Sequence, residues 1–421
     1  MPLLKSWVES ANRADGDFPL NKLPCGVFSA GDDGDRRCGV AIGDHVLDVS
    51  GLEAEGLLDL DGGPYLDVAF WNDFMDAGPA AWASLRAQLT ALLRQGSTKQ
   101  YLVEDHLVPL AEVTLHLPFI VAEFTDFYAG RNHALNVGTM FRGPENALPP
   151  NWLHIPIGYN GRASSVVVSG TPVRRPWGQV KGADHATPAF QPSRRFDFEL
   201  ELGCVLGQAS THGRPVTVAE AEAMIFGYVL LNDWSARDIQ AWEYQPLGPF
   251  QAKATATTIS PWIVMKAALA DFRIPTPPRE VPLLPYLAEP GPGNLNLALS
   301  VGLTPQGGAE TVISRTNSDQ LYYSFAQQIC HHTTSGCAMS VGDLIGSGTI
   351  SGPDKGARGS LLELGWGGRE PIPVDGGTRT FLEDGDTLTL YGHAEGAGYR
   401  IGFGRCAGQV IPALADPWSR P

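Results

Sequence analysis

The part of the chain after Gly336, about its last fifth, consists of short apolar runs punctuated by glycine, and this pattern restricts the fold more than any other feature. The runs VGDLIGSGTISG, LLELGW, DTLTLYG and YRIGFGRCAGQVIPAL follow Gly336, and none has the length of a long periodic helix. They are typical of short strands joined by turns, as a closed or rolled sheet requires. The 49 glycines and 33 prolines agree with this interpretation. We therefore expect a mainly β fold with some α (α+β).

The first 118 residues predict a small separate domain. Residues 23–50 contain short apolar runs and a glycine–aspartate turn, which is typical of the strands of a small β-barrel. The stretch PAAWASLRAQLTALLRQG predicts a helix that Gly96 stops. The extended, proline-flanked segment HLVPLAEVTLHLP follows. We therefore predict an N-terminal domain over residues 1–118 and a larger domain over residues 119–421.

Two helices are expected inside the larger domain. In TVAEAEAMIFG, Thr217 and Glu220 form a capping box, and the apolar run that follows predicts a buried strand ending at Asp233. The stretch SDQLYYSFAQQICHHTTSG predicts a second helix with Ser318 as its N-cap and Gly336 as its stop.

Composition excludes several functions and compartments. The net charge of −15 repels phosphate backbones and anionic membrane surfaces, so we expect neither nucleic acid nor a membrane as a partner. The six cysteines include no CxxC pair, which favours free thiols in a reducing, cytoplasmic compartment. The first residues show no basic region followed by an apolar run, and no apolar run of about 18 residues occurs, so we expect a soluble protein without a cleavable signal. GxSxG, Walker A and HExxH motifs are absent as well.

The stretch FDFELELG, residues 196–203, alternates apolar and acidic side chains without a break. On one strand, Asp197, Glu199 and Glu201 would share a face. Neighbours on one face lie only roughly 6.5 Å apart, so these carboxylates repel one another unless water or a cation lies beside them. The alternation alone leaves both alternatives open, a solvated acidic face and a cation site.

Polar side chains also concentrate in FTDFYAGRNHALNVGTMFRG, in LNDWSARDIQAWEYQPLGPFQAKATATT, and in IGSGTISG followed by LLELGW. Singly, each polar residue has an ordinary explanation: an aspartate can cap a turn, a histidine can be structural, and Glu363 can face solvent. Asp126 and Asp233, however, both end apolar runs. If their strands neighbour FDFELELG, four carboxylates converge and require a cation. Oxygen ligands without cysteine or histidine favour calcium or magnesium over zinc.

The same segments supply groups for chemistry on an anionic substrate. His133 is a candidate general base. The candidate substrate contacts are Tyr128, Arg142, Arg237, Gln240, Tyr244 and Lys253.

Several stretches resemble the fumarylacetoacetate hydrolase family, in its long form with an N-terminal domain. They are DFPLNKLPCGVFS, NWLHIPIGYNGRASSVVVSGTPVRRP, LNDWSARDIQAWEYQPLGPF, TTISPW, HHTTSGC and GDLIGSGTISGP. The resemblance runs from about residue 17 to the C-terminus. It implies an SH3-like β-barrel over residues 1–118 and a mixed β-sandwich roll, the catalytic domain, over residues 119–421.

The resemblance also implies the site. A calcium or magnesium ion would be held by Asp126, Glu199, Glu201 and Asp233. A second, magnesium-associated site beside it would involve Asp233, Lys253 and Thr257. The catalytic residues would be His133, Glu363, Arg237, Gln240 and Lys253. The substrate-binding residues would be Tyr128, Arg142, Tyr159, Gln240, Tyr244 and Thr349. Asp197 matches no family ligand and keeps the solvated-face interpretation.

The implied reaction is hydrolysis of a carbon–carbon bond in the β-diketo acid fumarylacetoacetate. Its products are fumarate and acetoacetate, in the last step of phenylalanine and tyrosine catabolism, and the family precedent suggests a homodimer. One departure from the family pattern is alanine at positions 252 and 256, where relatives usually have glycine. Two alternatives remain: another hydrolase or hydratase of the superfamily, such as an acylpyruvate hydrolase, and a binding protein with a structural calcium site.

Overall fold

The structure, a computed structural model, describes residues 2–31, 34–182, 184, 186–416 and 418. Residue 1 and residues 419–421, the outer ends of the two expected domains, lie outside this range. The order of the elements confirms the mainly β fold with some α. Among the described residues, no helix is long and apolar enough to cross a membrane.

The N-terminal part is a five-stranded antiparallel sheet with helices on the connection between its third and fourth strands. Its spatial order is β4-β3-β2-β1-β5. The strands are β1 (Cys25–Ala30), β2 (Arg37–Ile42), β3 (His45–Asp48), β4 (Leu107–Pro109) and β5 (Val113–His116). The helices are α1 (Val49–Ala54), α2 (Asn72–Asp76), α3 (Pro79–Leu93) and α4 (Gln100–Val103). Helix α3 is the one the sequence predicted, and its side chains at helical spacing are buried.

The larger part contains many short strands and few helices. Its strands are β6 (Phe124–Phe127), β7 (Gly158–Asn160), β8 (Val166–Val168), β9 (Val173–Arg174), β10 (Trp177–Val180), β11 (Ala189–Pro192), β12 (Phe196–Asp197), β13 (Leu200–Leu206), β14 (Ile225–Asp233), β15 (Ser235–Ala236), β16 (Thr257–Ile259), β17 (Val264–Met265), β18 (Arg273–Ile274), β19 (Asn294–Leu295), β20 (Ala298–Thr304), β21 (Thr311–Asn317), β22 (Leu344–Gly346), β23 (Ile372–Val374), β24 (Gly377–Arg379), β25 (Thr387–Gly396) and β26 (Tyr399–Ile411). Its helices are α5 (Arg131–Arg142), α6 (Val218–Met224), α7 (Arg237–Glu243), α8 (Phe325–His332) and α9 (Leu361–Leu364).

Two sheets form the body of this part. The first is an eight-stranded mixed sheet in the order β7-β6-β22-β13-β14-β16-β8, with β17 also paired to β14. The second is a five-stranded sheet in the order β21-β20-β25-β26-β9. Side chains of both sheets, such as Leu230 and Leu390, belong to one apolar core. This is the rolled architecture that the glycine-punctuated runs predicted.

The eight-stranded sheet is buried on both faces. Leu230 of β14 packs toward the second sheet, whereas its neighbours Val229 and Leu231 belong to a core shared with the N-terminal part. That second core includes Trp71 and Trp82 of the N-terminal helices. Burial on both faces explains why β14 reads as a continuous apolar run rather than an alternating one.

The capping box is confirmed, because Thr217 and Glu220 bond reciprocally at the start of α6.

The prediction for the second helix was wrong at its start. The hydroxyl of Ser318 accepts from the backbone of Leu297 and donates to that of Leu295, so it caps no long helix. Helix α8 begins after Ser324, which forms a capping box with Gln327.

Two stretches predicted as strands differ in the structure. LLELGW forms the four-residue helix α9, whose first backbone amides bind buried side chains instead of a neighbouring strand. FDFELELG is not one strand, because the amide of Glu199 donates to the side chain of Asn232 between β12 and β13. Every residue of that stretch is buried, so the solvated-face interpretation of its acids is wrong.

Candidate active site

Four buried carboxylates meet at one end of the eight-stranded sheet. Asp126 lies on β6, Glu201 on β13, Asp233 at the end of β14, and Glu199 immediately before β13. One carboxylate oxygen from each lies within 4.8 Å of the others. The structure therefore brings together the acids that the sequence suggested as metal ligands.

The strands achieve this in a way that the sequence did not reveal. β14 is the direct neighbour of β13, but β22 lies between β13 and β6. Gly346 of β22 is registered with Asp126 on one side. A β-carbon at Gly346 would lie 2.4 Å from Oδ1 of Asp126 and 3.1 Å from Oε2 of Glu201. Because glycine has no side chain, the carboxylates of β6 and β13 can approach each other across the intervening strand.

The cluster carries acceptor atoms that the described residues leave unused. Oδ1 of Asp126, Oε1 of Glu201 and Oδ1 of Asp233 are buried without a hydrogen-bond partner among them. Burial and, next, repulsion from neighbouring acids raise the pKa of Asp126 and of Glu201 well above their usual values. Buried carboxylate oxygens of this kind suit a hard divalent cation.

One lysine compensates part of this charge. Nζ of Lys253 donates to Oε2 of Glu199 at 2.5 Å and to Oδ2 of Asp233 at 2.6 Å. Burial acts to lower the pKa of Lys253, but attraction to the carboxylates of Asp233 and Glu199 outweighs burial, so the pKa is raised on balance. Lys253 therefore stays positive beside the acids. Thr257 is buried opposite Asp233 on β16.

His133 lies next to the acids on α5 and is held by a buried carboxylate. Its Nδ1 lies 2.6 Å from Oε2 of Glu363, and its Nε2 lies 3.9 Å from Oε1 of Glu199. Burial acts to raise the pKa of Glu363, but its contacts, foremost that with His133, lower it on balance. An ionised carboxylate only accepts, so Nδ1 carries the proton that it donates to Glu363, and in the neutral imidazole the lone pair lies on Nε2. The alternative in which Glu363 faces solvent is wrong.

Arg237 begins α7 and reaches back to the acids. Its Nη1 lies 2.7 Å from Oε1 of Glu199 and donates to Oε1 of Gln240 at 3.2 Å. Its Nη2 has no hydrogen-bond partner among the described residues. Arg237 lines the cavity beside the acids, and this unused donor is buried there.

A cavity of about 470 Å³ opens onto these groups. The predicted residues that line it are Asp126, Tyr128, His133, Arg142, Tyr159, Glu199, Arg237, Gln240, Tyr244, Lys253 and Thr349. The other predicted residues, Glu201, Asp233, Thr257 and Glu363, are buried and do not line it. Apolar side chains such as Phe141 and Leu247 complete the wall.

The lining residues are held in different ways. The ring of Tyr128 meets that of His133 edge to face, with centroids 5.4 Å apart. The hydroxyl of Tyr159 donates to Oδ2 of Asp233 at 3.0 Å. Oγ1 of Thr349 is buried without a hydrogen-bond partner among the described residues. The guanidinium of Arg142 donates to two backbone carbonyls just after α5.

Several supporting residues were missed. Asn136 donates to Oε1 of Glu363 at 2.9 Å, and the hydroxyls of Ser351 and Ser360 donate to Oε2. Asn136 follows His133 by three positions on α5, so helical spacing offered a signal for it. Asp197 was misassigned to solvent, since it is fully buried and binds Arg237.

The two alanines in place of the family's glycines introduce no backbone strain. The described non-glycine residues with positive φ are Leu23 and Trp366, so Ala252 and Ala256 have ordinary conformations. Both alanines are buried. Their methyl groups therefore add to the core beside Lys253.

Comparison with known families gives matches over both parts of the chain. A family model described as fumarylacetoacetate (FAA) hydrolase C-terminal matches residues 123–411. A second, described as fumarylacetoacetase N-terminal, matches residues 21–118.

Curated relatives match over nearly their whole length. The chain is 47% identical over 414 residues to a fumarylacetoacetase of Rattus norvegicus, covering 95% of this chain and 98% of the relative. It is 44% identical over 425 residues to a fumarylacetoacetase of Arabidopsis thaliana, covering 98% and 100%. A similar solved structure is a fumarylacetoacetate hydrolase from Exiguobacterium antarcticum, with 17% identity and a TM-score of 0.53, covering 93% of this chain and 99% of that one. At this identity the structural similarity concerns the fold alone.

Proposed function

The chain belongs to the fumarylacetoacetate hydrolase family, and from this membership we infer that it hydrolyses the carbon–carbon bond of fumarylacetoacetate to fumarate and acetoacetate. The observation that carries this inference is the position of four buried carboxylates and the His133–Glu363 pair at one cavity. A structural calcium site has no need of a base and unused cationic donors beside it.

A divalent cation, calcium or magnesium, fits the four acids. The support is the donor set of carboxylate oxygens, three of which lack any other partner among the described residues. Asp126, Glu199, Glu201 and Asp233 would hold it, and the second, magnesium-associated site beside it would involve Asp233, Lys253 and Thr257. When bound, such an ion supplies positive charge that stabilises the enolate developing from a diketone.

His133 is positioned to act as the general base. Its Nδ1 proton is fixed on Glu363, so the lone pair of Nε2 can accept a proton from the attacking water. Asn136, Ser351 and Ser360 hold the carboxylate that orients the ring. The protonated imidazole can later return its proton to the departing carbon.

Cationic and amide donors face the place where negative charge develops. Arg237 contributes its unpaired Nη2, and Gln240 and Lys253 lie beside it on the cavity wall. Arg142 and Tyr128, which also line the cavity, suit a substrate carboxylate. Tyr159, Tyr244 and Thr349 offer further hydroxyl groups for the polar chain of the substrate.

The same family membership supports the remaining proposals. The enzyme would act at the last step of phenylalanine and tyrosine catabolism, as a cytoplasmic homodimer. Sedimentation equilibrium of the purified protein tests the dimer, since a monomer at micromolar concentration would contradict it.

The reaction is tested by identifying products. Purified protein is incubated with fumarylacetoacetate, with an acylpyruvate and with a hydroxy-dienoate, and products are read by proton NMR. We expect equimolar fumarate and acetoacetate from the first and at least about tenfold lower kcat/KM for the others. Preference for an acylpyruvate, or hydration without carbon–carbon cleavage, would contradict the proposed function.

A further inference from the structure

Asp197 lies outside the set of proposed catalytic groups, yet it is fully buried beside them. Its two oxygens accept four hydrogen bonds. Oδ1 accepts from the amides of Phe198 and Leu361, both at 2.8 Å. Oδ2 accepts from Nε of Arg237 at 2.8 Å and from the amide of Leu362 at 3.0 Å. The carboxylate therefore joins its own strand to two other elements.

One of these elements carries the base-orienting carboxylate. Leu361 and Leu362 are the first two residues of α9, and Glu363 is the third. A helix of four residues is too short to be stable alone, so its position depends on what holds its ends. The hydroxyl of Ser360 accepts the amide of Glu363, and Asp197 accepts the two amides before it.

The other element carries the oxyanion donors. Arg237 begins α7, which also carries Gln240. Nε of the guanidinium is bound by Asp197 and Nη1 is bound by Glu199. These two anchors fix the plane of the guanidinium, and only Nη2 remains unpaired.

We propose that Asp197 is a positioning residue. Its carboxylate fixes the guanidinium of Arg237 and, through the amides at the start of α9, the position of Glu363, which in turn holds His133. This inference rests on the proposed function, since it assigns Arg237 to the developing oxyanion and Glu363 to the base. A single buried carboxylate thereby fixes the position of the oxyanion donor Arg237 relative to Glu363, the residue that orients the base. Asp197 itself is fully buried and does not line the cavity.

The first test replaces Asp197 with asparagine, which keeps the shape but loses one acceptor and the charge. The amide nitrogen of Asp197→Asn would face a guanidinium or a backbone N–H, both of which are donors. We expect kcat to fall by about tenfold or more, less than for outright loss of an oxyanion donor because Arg237 is displaced and not removed, while KM changes by less than about threefold. Bound divalent ion should stay at the wild-type level.

Asp386 is a matched control. It is also fully buried, and its carboxylate binds Nε and Nη2 of Arg379, both at 2.9 Å, and the amide of Glu383 at 2.8 Å. None of these residues lines the cavity. Asp386→Asn should lower Tm as much as Asp197→Asn but leave kcat unchanged. Equal loss of kcat in the two variants would reduce Asp197 to a structural role.

A double-mutant cycle with Arg237→Gln separates positioning from general destabilisation. Because part of the effect of Asp197 passes through Arg237, Asp197→Asn should lower kcat by a smaller factor in Arg237→Gln than in wild type, and the remaining factor passes through Glu363. Full additivity would overturn the proposal. If Asp197→Asn does not fold, Asp197→Glu takes its place: it keeps the charge and both acceptor oxygens but shifts them by one methylene group, and it should lower kcat at near-constant KM.

Deuterium exchange of the peptide containing α9 gives a readout that is independent of turnover. It should be faster in Asp197→Asn than in Asp386→Asn. Wild-type protein without fumarylacetoacetate turnover would contradict the proposed function and the role of Asp197 together. Wild-type turnover with additive mutations, or with unchanged exchange of α9, would overturn the positioning role alone.

Discussion

Gly346 and Asp126 are so close that a β-carbon on the glycine would lie 2.4 Å from Oδ1 of the aspartate. We predict that Gly346→Ala weakens divalent-ion binding, because the methyl group displaces the carboxylates of Asp126 and Glu201. Gly346 does not have a positive φ, so alanine adds no backbone strain at this position. Isothermal titration with calcium or magnesium should show affinity lowered by at least about tenfold.

Gly203 supplies the control for this prediction, since it pairs directly with Gly346 on the adjacent strand. A β-carbon at Gly203 would meet Val229 at 2.8 Å and Leu344 at 2.9 Å, both apolar. Gly203→Ala should therefore lower Tm without weakening ion binding. Wild-type affinity in Gly346→Ala would show that the carboxylates do not need this gap.

His133→Ala should remove turnover and keep the bound ion. General-base catalysis contributes typically about 10²- to 10⁴-fold, so kcat should fall by that order.

Glu199→Gln should lose both turnover and ion, because Glu199 is a member of the carboxylate cluster. Steady-state kinetics and metal analysis of the two variants check this. Near-normal activity in His133→Ala would refute the base assignment, and a retained ion in Glu199→Gln would refute the ligand assignment.

Glu243 holds the loop that forms part of the cavity wall. Its carboxylate accepts from the amides of Phe250 at 2.9 Å, Gln251 at 3.1 Å and Ala252 at 2.8 Å, closing the loop 244–249. Tyr244 and Leu247 of this loop line the cavity. Glu243→Gln offers fewer acceptor positions, so we predict a KM raised several-fold, about 3- to 10-fold, with a smaller change in kcat.

The loop prediction is checked by kinetics and by deuterium exchange of residues 244–252. Exchange should become faster in Glu243→Gln, because the amides lose their carboxylate partner. Glu220→Gln, which alters an exposed helix cap that does not line the cavity, is the control and should change neither quantity. Unchanged KM and exchange in Glu243→Gln would contradict the role of this carboxylate.

Lys22 makes folding stability depend on pH. Its Nζ is buried without a hydrogen-bond partner among the described residues, 4.2 Å from the ring centroid of Phe18. Burial lowers its pKa from 10.5 to about 7, with Asp17 opposing and Arg400 adding to the shift. Between these two pH values the unfolded chain binds the proton and the folded chain does not. The free energy of unfolding should therefore rise with pH from about 7 to about 10.5 through this group.

Lys22→Met should be more stable than wild type at pH 7, by a margin on the order of a few kcal/mol, because each pKa unit corresponds to about 1.4 kcal/mol. The margin should shrink as pH rises toward 10. Urea unfolding of both proteins at several pH values measures it. A margin that is constant with pH would contradict the assigned pKa.

What the sequence could predict depended on local patterns. The Thr217–Glu220 capping box and the helix Pro79–Leu93 were predictable because spacing along the chain determines them. The carboxylate cluster was suggested by acids at strand ends. Asp197 was not predictable, because its partner Arg237 lies 40 residues away and the contact depends on tertiary packing. The order of the strands, with β22 between Asp126 and Glu201, was likewise set by long-range pairing.

The most direct test of the account is the loss of fumarylacetoacetate absorbance on adding purified protein before chelation, after chelation, and after calcium or magnesium is restored. We predict that turnover disappears when the ion is removed and returns when about one ion per chain is bound again, with Asp126→Asn inactive throughout. Full turnover by metal-free wild-type protein would contradict the claim that the four carboxylates hold an ion needed for cleavage.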